Sequence, residues 1–187
     1  MAIGVTVRGR RGRAPAARRE RSGGDGGQHG DAVTSPHVRP IVRRATVGIF
    51  GPMLFGPEHV KRYVETDGEV GHDWRDGVPT LILTTTGRRS GEPRPTPLIY
   101  GRYGDDYLVV ASNGGSPEPP AWYRNLSEDP DVRVQVKADR FPAHARTATP
   151  EEKQEVWRTM AGIWPSYDDY QGKTDREIPV VVLERSE

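Results

Sequence analysis

Three guanidinium groups, two glycines and a hydroxyl crowd into one stretch of this chain, Gly87-Arg88-Arg89-Ser90-Gly91-Glu92-Pro93-Arg94. Arginine supplies forked, permanently charged donors that fit phosphate or carboxylate oxygens. Glycine lets the backbone approach a ligand closely, and consecutive N–H groups in such a loop can form an anion nest. The stretch therefore has the chemistry of an anion site. A solvated hairpin turn uses the same glycines, and the segment alone does not separate the two readings. It is not a nucleotide P-loop, because no Gly-Lys-Ser/Thr closes it.

Two further segments carry chemistry. Ser112-Asn113-Gly114-Gly115 is followed by Pro119-Pro120-Ala121-Trp122-Tyr123-Arg124-Asn125-Leu126. Trp and Tyr pair a flat apolar face with a polar tip, which suits a ring system and equally suits a core. Later, Trp164, Tyr167 and Tyr170 recur every three residues, a spacing that also describes an aromatic stripe on a helix. With the Arg-rich loop, in this order, these segments resemble the deazaflavin-dependent nitroreductase family, whose members use the 8-hydroxy-5-deazaflavin coenzyme F-420. The resemblance runs from about Glu58 to Glu184.

That resemblance implies a fold, an activity and a site. The fold is a split β-barrel, similar to flavin-mononucleotide oxidases of the pyridoxamine-phosphate oxidase type. The activity is hydride transfer from reduced F-420 to a quinone, an enone or a nitro compound. The coenzyme tail bears phosphate, lactate and glutamates, and Arg88, Arg89, Ser90, Gly91 and Arg94 would grip its oxygens. Thr96, Pro97 and Leu98 would line the coenzyme groove. Ser112, Asn113, Gly114 and Gly115 would hold its other side, with Trp122, Tyr123, Asn125 and Leu126 flanking it. The family places the substrate pocket at Trp164, Tyr167 and Tyr170. A Tyr167 hydroxyl within reach of the acceptor would stabilise or protonate the developing anion, which makes Tyr167 the candidate catalytic residue. Relatives often carry Lys where Asn113 and Glu118 stand, so this chain has less positive charge beside its glycines. Two other readings on the same barrel are a non-catalytic deazaflavin carrier and a flavin or haem binder.

The elements that must position these residues are mostly strands. Val78 to Thr85, Arg94 to Arg102, Asp106 to Ser112, Val132 to Val136, Phe141 to Thr147 and Ile178 to Leu183 combine β-formers with turn signals at their ends. Tyr103-Gly104-Asp105 and Ala138-Asp139-Arg140 are the expected hairpin turns. Pro57 to Thr66 reads as a short helix, and Asn125 to Pro130 as a short helical or turn segment. Thr149-Pro150-Glu151-Glu152 is a capping box, with Val156, Met160 and Ile163 following on one face. About six strands and one late helix predict a mainly β (α+β) domain built on a closed or nearly closed antiparallel barrel.

The rest of the chain bounds this reading. Residues 1–40 are rich in Arg, Gly and Ala and cannot bury enough surface to offset chain entropy, so a disordered tail is expected there and the folded domain at 41–187. Residues 41–55 are apolar with embedded arginines; they either pack over the barrel or contact a membrane surface weakly. A net charge of +1 among 187 residues predicts no nucleic-acid partner. The absence of cysteine excludes disulfides and thiolate chemistry and fits a cytoplasmic protein, peripheral to the inner membrane face if residues 41–55 bind there. Scattered histidines predict no metal site.

Overall fold

Alternation builds the barrel. Strands β1 (Thr80–Thr86), β2 (Pro93–Tyr103), β3 (Asp106–Val110), β4 (Asp131–Val136), β5 (Asp139–Thr147) and β6 (Val180–Arg185) pair antiparallel in the closed order β1-β2-β3-β6-β5-β4. This computed structural model describes Leu54 and residues 56–187. The expected tail at 1–40 and, apart from Leu54, the segment at 41–55 with its membrane contact lie outside the described residues.

Every second residue of the strands points into the barrel. Leu81 and Leu83, Tyr107 and Val109, Val132 and Val134, Phe141, Ala143 and Ala145, and Val181 and Leu183 share one buried cluster. The opposite faces of β3 and β6 are buried as well. Leu108, Val110, Val180 and Val182 pack under Val156 and Met160 of one helix and Tyr167 of the next. These are α3 (Pro150–Ile163) and α4 (Ser166–Gln171). Burial on both faces explains why β6 reads as an unbroken apolar run. The capping box forms as the sequence predicts, with Thr149 and Glu152 exchanging side-chain and backbone bonds.

Pairing register decides where the chemistry sits. Thr86 lies opposite Pro93, Val110 opposite Val180, Thr147 opposite Val181, and Asp131 opposite His144. The ends of β1, β3 and β5 thus meet the starts of β2, β4 and β6 at one mouth of the barrel. The three connections at that mouth are the three motif segments. One of them forms α2 (Ala121–Leu126), which starts before the expected Asn125–Pro130 segment. Its Trp122 and Leu126 close the barrel interior from that mouth. The other mouth carries two tight hairpins. The second turns at Lys137-Ala138 instead of the expected Ala138-Asp139-Arg140, since Val136 already pairs with Asp139. Lys137 takes the left-handed φ of 54° that this turn demands.

Helix α1 (Gly56–Glu65) is bolted to the outer wall by a polar knot. The buried Tyr63 hydroxyl donates to the Thr80 carbonyl and accepts from the Lys137 N–H, both at 2.9 Å. The Nδ1 atom of His72 sits 3.1 Å from the same hydroxyl and 3.0 Å from the Thr80 carbonyl. Burial pushes the Tyr63 hydroxyl up to about 12 and holds His72 below its ordinary value, so both stay neutral. Among the described residues no helix is long and apolar enough to cross a membrane.

Candidate functional site

A cavity of about 740 Å³ opens between the β1–β2 loop, the start of β2, α2 and the first turns of α1. Of the residues singled out in the sequence, Arg88, Arg89, Ser90, Arg94, Thr96, Pro97, Trp122 and Asn125 line it. The loop is shaped by its own backbone. Gly87 N–H donates to the Glu92 carbonyl at 2.8 Å, and the Gly87 carbonyl accepts from Ser90 and Gly91 at 3.0 and 2.7 Å. A Cβ on Gly87 would stand 2.8 Å from Ser90 Oγ and 3.1 Å from the Glu92 carbonyl, so a side chain here would turn Ser90 aside and press on the loop backbone.

The three arginines are held differently. Asn125 is buried, and its Oδ1 accepts from the Arg88 backbone N–H at 3.4 Å and from Arg88 Nη1 at 3.2 Å. Its Nδ2 donates to the buried Thr85 hydroxyl at 3.0 Å, which ties α2, the loop and β1 together. Glu128 lies 3.9 Å from Arg88 Nε. Arg94 Nη2 donates to Ser90 Oγ at 3.1 Å. Arg89 is exposed and has no hydrogen-bond or ion-pair partner among the described residues. With Lys61 from α1, four cations line the cavity and no lining residue is acidic. Such a donor set fits a ligand with several anionic oxygens, and solvent exposure makes the attraction sensitive to salt.

Ser112, Asn113, Gly114 and Gly115 lie in a second connection at the same barrel mouth. Asn113, Gly114 and Gly115 take successive left-handed φ values of 49°, 65° and 84°. A Cβ on Gly115 would lie 2.7 Å from the Tyr170 carbonyl, so glycine lets this arc press against α4. Asn113 Nδ2 donates to the Glu118 carbonyl at 2.9 Å, and the Glu118 carboxylate lies 3.6 Å from Arg124. Gly91, Leu98, Ser112, Asn113, Gly114, Gly115, Tyr123 and Leu126 do not line the Arg-loop cavity. Leu126 is in the barrel interior, where Leu98 and Tyr123 pack against the same cluster; Tyr123 also meets the Thr147 hydroxyl at 3.0 Å.

Trp164, Tyr167 and Tyr170 do not line that cavity either. Trp164 lies against Trp74, with ring centroids 5.7 Å apart. The Tyr167 ring is 5% exposed between Trp157 and Tyr170. Its hydroxyl has no hydrogen-bond partner among the described residues, and burial pushes it well above the ordinary tyrosine value. It stays protonated across the physiological range and is available as a donor.

Sequence reasoning missed two contributors. Pro57, Val60 and Lys61 complete the cavity from α1. Their i, i+3, i+4 spacing places them on one helix face, which was readable, but nothing local shows which wall that face meets. Arg176, next to Asp175, carries no local sequence signal of a role in the site. In the structure its Nε donates to the Ser116 carbonyl at 2.9 Å, and its Nη2 to those of Ala111 and Ser112 at 3.1 and 2.7 Å. Its Nη1 is buried and has no hydrogen-bond partner among the described residues. This guanidinium braces the whole Ala111–Ser116 arc. Among the described residues no group of three or more His, Asp or Glu could hold a metal ion.

An F420H(2)-dependent quinone reductase of Mycobacterium tuberculosis is 42% identical over 130 residues, which are 68% of this chain and 87% of that protein. A solved F420-H2 dependent reductase is 40% identical, with a TM-score of 0.54 over 57% of this chain and 94% of its own. A second solved structure, described as a domain-swapped dimer, is 39% identical, with a TM-score of 0.56 over 68% of this chain and 95% of its own. The family pattern for F420H(2)-dependent quinone reductase matches residues 56–185, from the start of α1 to the end of β6, and the chain belongs to that family of F-420-dependent oxidoreductases.

Proposed function

We propose that this protein reduces quinones with F-420, and that the Arg-loop cavity holds the anionic tail of the coenzyme. The observation that carries the assignment is Arg89, a cation without a partner among the described residues, beside Arg88 and Arg94 on a tight glycine-containing turn. When bound, the coenzyme supplies the hydride. The chain's own residues supply position and electrostatics. Arg88, braced by Asn125, and Arg94, braced by Ser90, present preset donors to phosphate or carboxylate oxygens. Trp122 and the α1 face at Val60 give the cavity apolar walls that exclude water from part of the ligand.

The acceptor enters, in this reading, from the side of the Asn113–Gly115 arc and α4. There the protonated Tyr167 hydroxyl donates a hydrogen bond to the oxygen on which negative charge develops. Enones and nitro compounds develop the same kind of anion and are proposed as further acceptors. Residues 41–187 are proposed to suffice for binding, with 1–40 dispensable.

The test is titration of the purified protein with F-420, followed by oxidation of the reduced coenzyme with quinones, enones and nitroaromatics. Arg89→Ala should weaken coenzyme binding by about 1–2 kcal/mol, with the effect shrinking in high salt. Unchanged affinity would place the tail elsewhere. Tight binding without turnover of any acceptor would make the protein a carrier.

A further inference from the structure

Arg176 carries a charge that none of its described neighbours balances. It lies on the connection between α4 and β6, half-buried, and its guanidinium bonds only main-chain carbonyls. Nε reaches Ser116 at 2.9 Å, and Nη2 reaches Ala111 and Ser112 at 3.1 and 2.7 Å. Nη1 is buried with no hydrogen-bond partner among the described residues. No carboxylate among those residues pairs with it, and the adjacent Glu177 lies 3.3 Å from Lys153 Nζ instead. A guanidinium is always charged, and withdrawing one from water without a counter-ion is costly. Neutral donors would brace carbonyls at lower cost, so the charge itself calls for an explanation.

The explanation lies on the far side of the peptides that Arg176 holds. A trans peptide carries its N–H opposite its C=O. The carbonyls of Ala111 and Ser112 share their peptide groups with the N–H donors of Ser112 and Asn113. Arg176 therefore polarises both peptides from behind, and their N–H ends face away from it. Those two N–H groups and that of Gly114 have no hydrogen-bond partner among the described residues, although Ala111 N–H donates to the Pro179 carbonyl and Gly115 N–H to that of Ser112. Ser112 is right-handed, at φ −71° and ψ −40°, and Asn113 is left-handed, at φ 49°. Such a pair turns successive N–H groups toward one point, the geometry of an anion nest. Gly115 presses the same arc against α4, the helix that carries Tyr167; a Cβ there would stand 2.7 Å from the Tyr170 carbonyl.

Resting on the acceptor side assigned above, we propose that Arg176 is a positioning residue for quinone reduction. Through the peptides it polarises, it makes the Ser112–Gly114 N–H groups strong donors to an acceptor oxygen. Hydrogen bonds in series strengthen one another, and here a full charge stands at the head of the series. Accepting a hydride turns a neutral quinone into a hydroquinone monoanion. The nest, alongside the Tyr167 hydroxyl, holds the charged oxygen until a solvent proton neutralises it.

The experiment uses the full chain loaded with F-420, so that coenzyme occupies the Arg loop. The probe is difluorophenol with both fluorines flanking the hydroxyl, which ionises near neutral pH and reports its ionisation by fluorine NMR. Wild type should bind the phenolate about tenfold more tightly than the phenol, the margin of charge-assisted over neutral hydrogen bonds. Arg176→Gln keeps a donor and removes the charge; it should erase most of that preference and lower kcat for quinones more than it raises KM. Arg176→Lys restores the charge and should recover part of the preference. Equal binding of both forms by wild type overturns the proposal without any variant. Variants that weaken phenol and phenolate alike, leaving their ratio intact, reduce Arg176 to a brace and overturn it too. A probe that binds without competing with the quinone overturns the acceptor side itself.

Discussion

Asn125 offers a direct test of how the site is built, because one buried amide joins three elements. Asn125→Ala removes an acceptor from Arg88 and leaves the Thr85 hydroxyl, 1% exposed, without its bond. An unsatisfied buried hydroxyl costs about 1–3 kcal/mol, and the two long bonds from Arg88 add about 0.5–1 kcal/mol, so a loss of about 2–3 kcal/mol is expected. For a domain of roughly 130 residues, unfolding entropy near 2.1 cal/mol/K per residue converts that to a fall of about 7–11 °C in melting temperature. Asn125→Asp separates stability from binding. Its carboxylate still accepts from Arg88 and can accept from the Thr85 hydroxyl, so most of the stability should return. It also places a negative charge in the lining of the cavity. Melting should therefore order the proteins wild type, Asp, Ala, whereas coenzyme affinity should order them wild type, Ala, Asp. Differential scanning fluorimetry and coenzyme titration read the two orders. If the Asp variant binds like wild type, the cavity does not hold an anion and the electrostatic reasoning fails.

Three other outcomes follow from the structure. Arg176→Lys cannot reach three carbonyls with one ammonium and should cost about 2–3 kcal/mol, with faster amide hydrogen exchange from Asn113 to Ser116; unchanged exchange in that arc would refute its bracing role. Tyr167→Phe should keep coenzyme affinity and melting temperature while lowering kcat for quinones, since the hydroxyl has no hydrogen-bond partner to lose among the described residues; an unchanged kcat across acceptors would reduce Tyr167 to packing. Because burial raises the Tyr63 hydroxyl from 10.0 to about 12, its neutral form stabilises the fold fully below pH 10, and that contribution drains away as pH rises toward 12. Tyr63→Phe should flatten this alkaline slope in pH-dependent melting, and an unaltered slope would mean that another group sets it.

The strands were legible because each buries one face and alternates, and because Gly104 and the capping box at Thr149 punctuate them. The three motifs also sufficed to recognise an F-420-dependent family, although the matching description is quinone reductase and nitroreductase is the looser label. The Lys137-Ala138 turn escaped because lysine rarely signals a left-handed residue. What stabilises it there is the Tyr63 hydroxyl, 74 residues away. The same limit hid Lys61 and Arg176. Each belongs to the site only through closure of the barrel, which brings α1 beside β2 and the Arg176 segment beside the end of β3.

That closure also explains why the anion site sits where it does. An antiparallel barrel of six strands places alternate connections at opposite mouths, so segments between β1 and β2, β3 and β4, and β5 and β6 must share one mouth whatever their sequences. The longer connections, with Arg, Gly and aromatic residues, lie there, and two-residue hairpins close the other. Binding chemistry is thereby concentrated on loops held by a rigid wall. The Tyr63–His72 knot matters to function for the same reason. It uses neutral, buried groups to fix α1 against the wall, Arg140 adds a tie to Val64 and Asp67 at the end of the helix, and together they fix the distance between Lys61 and the loop arginines. The cations without a partner among the described residues, Arg89 first among them, are the ones left to meet a ligand.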